Sequence, residues 1–109
     1  MDYQVVLSDL FLSDLKEIVD YLAIRADGDI ASRIGNELLD RALEFGRNPW
    51  LGKPVKLRPG ARKVVLYSYL IYYDVDDANY SVNILRAWHG ARDPKTLRLE
   101  MGISQKSSA

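Results

Sequence analysis

With 109 residues, 48% of them hydrophobic and 28% charged, the chain has the size and composition of one globular domain and is too short for two. No apolar run approaches the ~20 residues of a membrane-spanning helix, and the lack of cysteine excludes disulfides and thiol catalysis. The net charge of zero hides a split: residues 1–54 carry 6 Lys/Arg against 10 Asp/Glu, and residues 55–109 carry 9 against 5. Such a split either gives the molecule two electrostatic ends for different partners or makes an internal dipole whose halves attract each other.

Tyr3–Leu7 (YQVVL) is a short strand candidate, and Ser8 after it is a natural helix N-cap. Phe11, Leu15, Ile18 and Leu22 then recur at steps of four and three, which is one face of an α-helix. Leu10, Val19 and Ala26 widen that stripe, while Asp14, Lys16, Glu17 and Asp20 are expected largely on the other side. Asp27-Gly28-Asp29 breaks the pattern, and Asp29 is the expected cap of a second helix with Ile30, Ile34, Leu38, Ala42 and Phe45 along its apolar face. Gly46–Pro49 should end that helix, leaving an antiparallel helical hairpin.

Leu51–Gly60, with two prolines and two glycines, reads as loop with a brief extended piece at Val55–Leu57. Arg62–Tyr67, Tyr69–Val75 and Tyr80–His89 are three strand candidates rich in Val, Ile, Leu and Tyr. The turn residues Asp76-Asp77-Ala78-Asn79 make the last two antiparallel neighbours. Lys95–Met101 is expected as a short helix or an extended segment, and 102–109 as a flexible polar tail after a single domain spanning 1–101. The order β-α-α-β-β-β predicts an α+β fold, with the helical hairpin on one face of a mainly antiparallel sheet. The other face is then either solvated or reserved for a partner.

Enzyme motifs are sparse. No phosphate-binding glycine loop, dinucleotide fingerprint or HExxH is present, and nothing marks an activated serine for a triad with the single histidine. One histidine without cysteine supplies no structural zinc site, and no metal or cofactor is expected. The adjacent acids Asp76 and Asp77 read as solvated turn formers. Two cationic groups stand out: Lys53, Lys56, Arg58, Arg62 and Lys63 in one stretch without acids, and Arg86, His89, Arg92, Lys95 and Arg98 after the last strand. They are either solvated surface charges or a rim able to bind phosphate oxygens. His89 could act as an acid or base, or its ring could pack against Trp88 or bond a loop carbonyl. Strand alternation places Arg86 and His89 on opposite faces unless a bulge intervenes, and sends Tyr69 and Tyr73 to one face and Tyr72 to the other.

The helix SDLFLSDLKEIVDYLA, the passage NPWLGKPVKLRPGARKVV and the pair YLIYYDVDDANYSVNILRAWHGARDP, taken in order, resemble the RelE/ParE superfamily of bacterial type II toxin–antitoxin toxins. The resemblance runs from about Tyr3 to Pro94 and implies the two-helix-on-sheet fold, a cognate antitoxin and a cytoplasmic site of action. No signal peptide is visible at the N-terminus, in keeping with that. RelE-like members cleave mRNA on the ribosome, ParE-like members poison DNA gyrase, and YLIYY and HGARDP look closer to ParE; a non-toxic binding module left by a decayed family member is the third reading. Where a RelE-like strand carries arginine after its leading tyrosine, this chain has Leu70, and no tyrosine follows Arg92. The implied target contacts are Arg58, Arg62, Arg86, His89 and Arg92. The implied antitoxin contacts are Leu15, Ile18, Leu22 and Tyr72. A ribonuclease would use Lys63, Arg86, His89 and Arg92.

Overall fold

Ser8 is where the first strand becomes the first helix. β1 runs over Gln4–Leu7 and α1 over Asp9–Arg25, and the Ser8 hydroxyl oxygen accepts from the Phe11 amide at 3.0 Å. That bond satisfies one of the amides a helix start leaves without a partner. The computed structural model describes residues 2–92 and 94–99. The expected tail at 102–109 and the end of Lys95–Met101 lie outside these residues. α2 covers Gly28–Glu44, and its cap is Asp27, whose carboxylate accepts from the Ile30 amide at 2.8 Å. Asp29, expected as the cap, instead lies in the first turn, where its charge still favours the positive end of the helix. The two helices close on each other at Gly35, where a Cβ would lie 2.6 Å from Val19 Cγ2.

Four more strands follow: β2 (Lys53–Pro54), β3 (Ala61–Leu66), β4 (Tyr69–Asp76) and β5 (Ser81–His89). The sheet order is β1-β5-β4-β3-β2, with β1 parallel to β5 and every other pairing antiparallel. The extended piece expected at Val55–Leu57 falls instead on residues 53 and 54. The loop containing Gly60, at φ 84°, returns the chain at Ala61 and puts Lys53 and Pro54 opposite Lys63 and Arg62. Between β4 and β5, Asp76 caps a single 3₁₀ turn over Asp77–Asn79, and Asp77 accepts from the Tyr3 hydroxyl. Both acids are turn and tether groups, as their positions imply.

The inner sheet face receives the helices. Tyr69, Ile71 and Tyr73 of β4 and Val82, Ile84 and Ala87 of β5 pack under Phe11, Ile34, Leu38, Ala42 and Phe45. Phe45 stacks on Tyr73 with ring centroids 4.2 Å apart. The Tyr73 hydroxyl accepts from the Gly52 amide at 2.6 Å, and a Cβ on Gly52 would sit 2.7 Å from that oxygen and 2.8 Å from the Lys63 carbonyl. Only glycine fits there. The outer face is neither bare nor left entirely to a partner: Tyr72, Leu85 and Trp88 form a second buried cluster with Leu97 of the chain's own C-terminal segment. Among the described residues no helix is long and apolar enough to cross a membrane.

One irregularity sets the phase of β5. Tyr72 pairs with Arg86 but Tyr73 with Ile84, so Leu85 is an extra residue. This β-bulge turns Leu85 to the outer face and restarts the alternation, with Ala87 and His89 inward and Arg86 and Trp88 outward. It falls before Arg86 rather than between Arg86 and His89, so those two stay on opposite faces.

Candidate functional site

β1 stops at Leu7, opposite Ile84, so the second half of β5 has an edge with no strand beside it. α1 fills that edge with polar side chains. The Ser8 hydroxyl donates to the Leu85 carbonyl at 3.0 Å, and the Asp14 carboxylate accepts from the Ala87 amide at 3.1 Å. Asp14 also holds the Arg86 guanidinium with two oxygens, at 2.7 Å to Nε and 2.9 Å to the terminal nitrogen. Ser8 and Asp14 are the buried polar residues of the chain among those described. An edge amide without a partner, or a lone buried carboxylate, would be costly; here each satisfies the other. Asp14 was expected on the solvent side of α1. It faces inward because the unpaired edge of β5 supplies the donors it needs.

Beyond Ala87 the chain folds into a tight turn. The Gly90 amide donates to the Ser68 carbonyl at 2.8 Å, and the Arg92 amide to the His89 carbonyl at 3.0 Å. The Ala91 amide donates to His89 Nδ1 at 3.0 Å, which leaves Nε2 as the donor of the neutral ring. The ring stands edge-on to Tyr69 at 5.2 Å, so its packing partner is Tyr69 rather than Trp88, and its loop partner is an amide rather than a carbonyl. His89, Tyr69 and Ala87 line a cleft of about 440 Å³ whose other walls are Asp14, Glu17, Ile18 and Tyr21 of α1 and Arg92. Burial pushes the Tyr69 hydroxyl above its ordinary value, which favours its protonated form. Tyr21 and Ile24 of α1 stand exposed, at 54% and 84%.

The remaining candidates lie mainly on the outer face, where Tyr72 pairs with both Lys63 and Arg86 and the Trp88 ring lies under both Arg86 and Arg92. Arg58 pairs with Asp74 at 2.9 Å and donates to the Leu99 carbonyl, holding the C-terminal segment on the outer face. Arg62 donates to the Gly52 carbonyl at 2.6 Å and lies over the Trp50 ring at 5.0 Å. Arg86 is held by Asp14 and also donates to the Arg98 carbonyl at 3.2 Å. Arg92 lies over the Trp88 ring, 3.8 Å from its centre. Lys63 faces outward beside Tyr72. Of the four ribonuclease candidates, only His89 and Arg92 share a cleft. Leu15, Ile18 and Leu22 pack against the inner core, with Ile18 reaching the cleft. Tyr72, expected at an antitoxin-facing surface, is 4% exposed because Leu97 lies over it. Among the described residues no group of three His, Cys, Asp or Glu gathers as a metal site.

Residues 5–94 match the family described as the ParE toxin of the type II toxin–antitoxin system parDE. The chain belongs to the ParE toxin family. No curated protein sequence matches it. Its fold is similar to the chromosomal ParDE toxin–antitoxin system of P. aeruginosa, at TM-score 0.71 and 18% identity over 80% of this chain and 95% of that one. A RelBE toxin–antitoxin complex from Mycobacterium tuberculosis is similar at TM-score 0.64 and 25% identity, covering 82% and 99%. The intact E. coli RelBE complex follows at 0.61 and 18%, covering 83% and 99%. In this ParE-family toxin, Leu70 pairs with Val65 and Trp88 on the outer face and packs against the Tyr72–Leu85–Trp88 cluster. That position is therefore filled by an apolar contact. Sequence reasoning missed Asp14, Glu17 and Tyr21 in the cleft. The one available signal was a carboxylate three residues after Phe11 and four before Ile18, on their helix face.

Proposed function

We propose that the free chain inhibits DNA gyrase and that a cognate antitoxin neutralises it. The observation that carries gyrase inhibition over mRNA cleavage is that the one histidine, His89, lies on the sheet face opposite Lys63 and Arg86, while Arg86 and Arg92 are engaged by Asp14 and by the Trp88 ring. Acid–base cleavage needs its groups within hydrogen-bond reach of one scissile phosphate. Here Lys63 points outward and His89 inward, while Arg86 is held by Asp14. Inhibition by binding makes no such demand; it needs a rigid surface with a few anchoring groups. The end of β5 has them in His89 and Arg92, with Tyr21 exposed beside them. In this reading His89 and Arg92 touch the target, and Arg58, Arg62 and Arg86 hold the surface in place. The antitoxin engages α1 near Ile18, with Leu15 and Leu22 supporting that stretch from beneath.

Supercoiling by purified gyrase should fail at stoichiometric toxin, and normal supercoiling in the presence of excess folded toxin would overturn the proposal. The same preparation should leave mRNA intact in a translating extract. Cleavage there that depended on His89 and Arg92 would replace inhibition with a nuclease function.

A further inference from the structure

Lys53 of β2 and Lys63 of β3 are direct partners in the antiparallel ladder, so their side chains leave the sheet on the same face, opposite one another. Like charges so placed repel. No described carboxylate forms an ion pair with either. Asp74, two positions along β4 from the Tyr72 that neighbours Lys63, is occupied by Arg58 at 2.9 Å and Asn83 at 2.9 Å. A third cation, Lys56, meets Lys63, but not Lys53, at an outer-face cleft of about 420 Å³ lined by Pro54, Val55, Lys56, Leu57, Lys63 and Tyr72. Its lining contains no acid, and its apolar wall includes Leu57, which is 53% exposed.

Edge lysines often serve only to keep sheets from pairing with one another. That role accounts for Lys53 on the edge strand. It does not account for Lys56 and Lys63 turned into a cleft beside an exposed leucine. Lys56 and Lys63 in a lining without an acid, beside Val55 and Leu57, have the complement of a carboxylate flanked by apolar side chains. A nucleic-acid strand fits less well, because base stacking needs an open ring face and Tyr72, the cleft's aromatic, is 4% exposed. A bare phosphate would leave Val55 and Leu57 uncovered.

We infer that this cleft binds an acidic segment of a partner protein, one in which carboxylate side chains alternate with apolar ones. Alternation suits an extended segment, whose successive side chains point to opposite sides. The cleft lies on the sheet face opposite His89, and its occupancy can be read by direct binding to the chain alone, whatever the outcome with gyrase.

The probe is a short labelled peptide of alternating glutamate and leucine, titrated with the intact chain and followed by fluorescence anisotropy. Binding should saturate and weaken as salt rises. Lys56→Gln combined with Lys63→Gln should lower affinity by about tenfold, the order expected when two partly exposed charge pairs are lost. The same double variant should keep or raise its unfolding midpoint, since it removes the repulsion with Lys53, and this separates lost binding from lost folding. Absence of saturable binding would overturn the inference, as would an affinity indifferent to the two substitutions. Equal binding of an alternating lysine–leucine peptide would do the same. So would displacement by an equal concentration of mixed-sequence single-stranded DNA, which would make the cleft a nucleic-acid groove.

Discussion

On the inner face of the sheet, two helices lay Phe11, Leu38 and Phe45 over β4 and β5; on the outer face, one short segment lays Leu97 over Tyr72, Leu85 and Trp88. The inner cover is itself supported, because α1 and α2 pack on each other as well as on the sheet. The outer cover is tied by side chains to carbonyls: Arg58 to Leu99 and Arg86 to Arg98. Apolar burial is present on both sides, but the number of elements that must move to expose it differs. The inner face is the stable scaffold, and the outer face is where opening should come first, since local opening follows the weakest set of contacts.

Truncation at the centre of the inner face should give the largest effect. Phe45→Ala removes a fully buried ring stacked on Tyr73 and should cost about 3–5 kcal/mol, measured as the shift in denaturant unfolding. If it cost no more than an outer-face truncation, the ranking of the faces would fail. Asp14→Ala comes next, at roughly 3 kcal/mol, because it takes a two-oxygen partner from Arg86, whose side chain is 13% exposed, and removes the acceptor of the Ala87 amide. A double-mutant cycle with Arg86→Ala should show strong coupling, and additivity would mean that the pair does not hold the edge.

Leu97→Ala on the outer face should cost about 2 kcal/mol, the low end for a buried leucine, because residues 97–99 have no regular secondary structure and can settle into the space. Hydrogen exchange should quicken at Tyr72 and Trp88 while the amides of Ile71 and Ile84 keep their protection. Alkaline pH separates the faces more gently. Burial raises Tyr69 and Tyr73 on the inner face and Tyr72 on the outer face above the ordinary tyrosine value of 10.0. The folded state therefore keeps these protons longer than the unfolded chain. The stability linked to them is intact below pH 10.0 and is lost as pH rises through the raised values. Tyr72→Phe should remove only the outer face's share of that loss, seen as a shallower fall of the unfolding midpoint above pH 10.0.

The helical hairpin and the β4–β5 pair were legible in the sequence because both rest on short-range signals. Phe11, Ile18 and Leu22 mark a helix face by spacing alone, Ser8 marks its start, and Asp76–Asn79 can only be a turn between two apolar runs. The candidate site was less legible, because its geometry depends on partners far apart in the chain. Nothing near Leu85 announces an extra residue; the bulge exists only relative to Tyr72 and Tyr73. Beyond its place on the helix face of Phe11 and Ile18, nothing near Asp14 announces burial, since its partners lie 72 and 73 residues later. Arg58, Arg62 and Arg86 read as a basic rim by composition. Folding gave them carbonyl, carboxylate or ring partners instead, because long cationic side chains near an open backbone edge meet acceptors there.

The parallel pairing of β1 with β5 bears on how the chain is made. β1 waits for β5, since β5 lies between β1 and β4 and, among the described residues, no other strand borders β1. Until residues 81–89 are available, β1 has no neighbour, the Ser8 hydroxyl has no Leu85 carbonyl and Asp14 has no Arg86. Contacts of such sequence separation form late. A chain interrupted before residue 89 therefore carries a loose helical hairpin without its full sheet, and this toxin should become harmful only once β5 has been made.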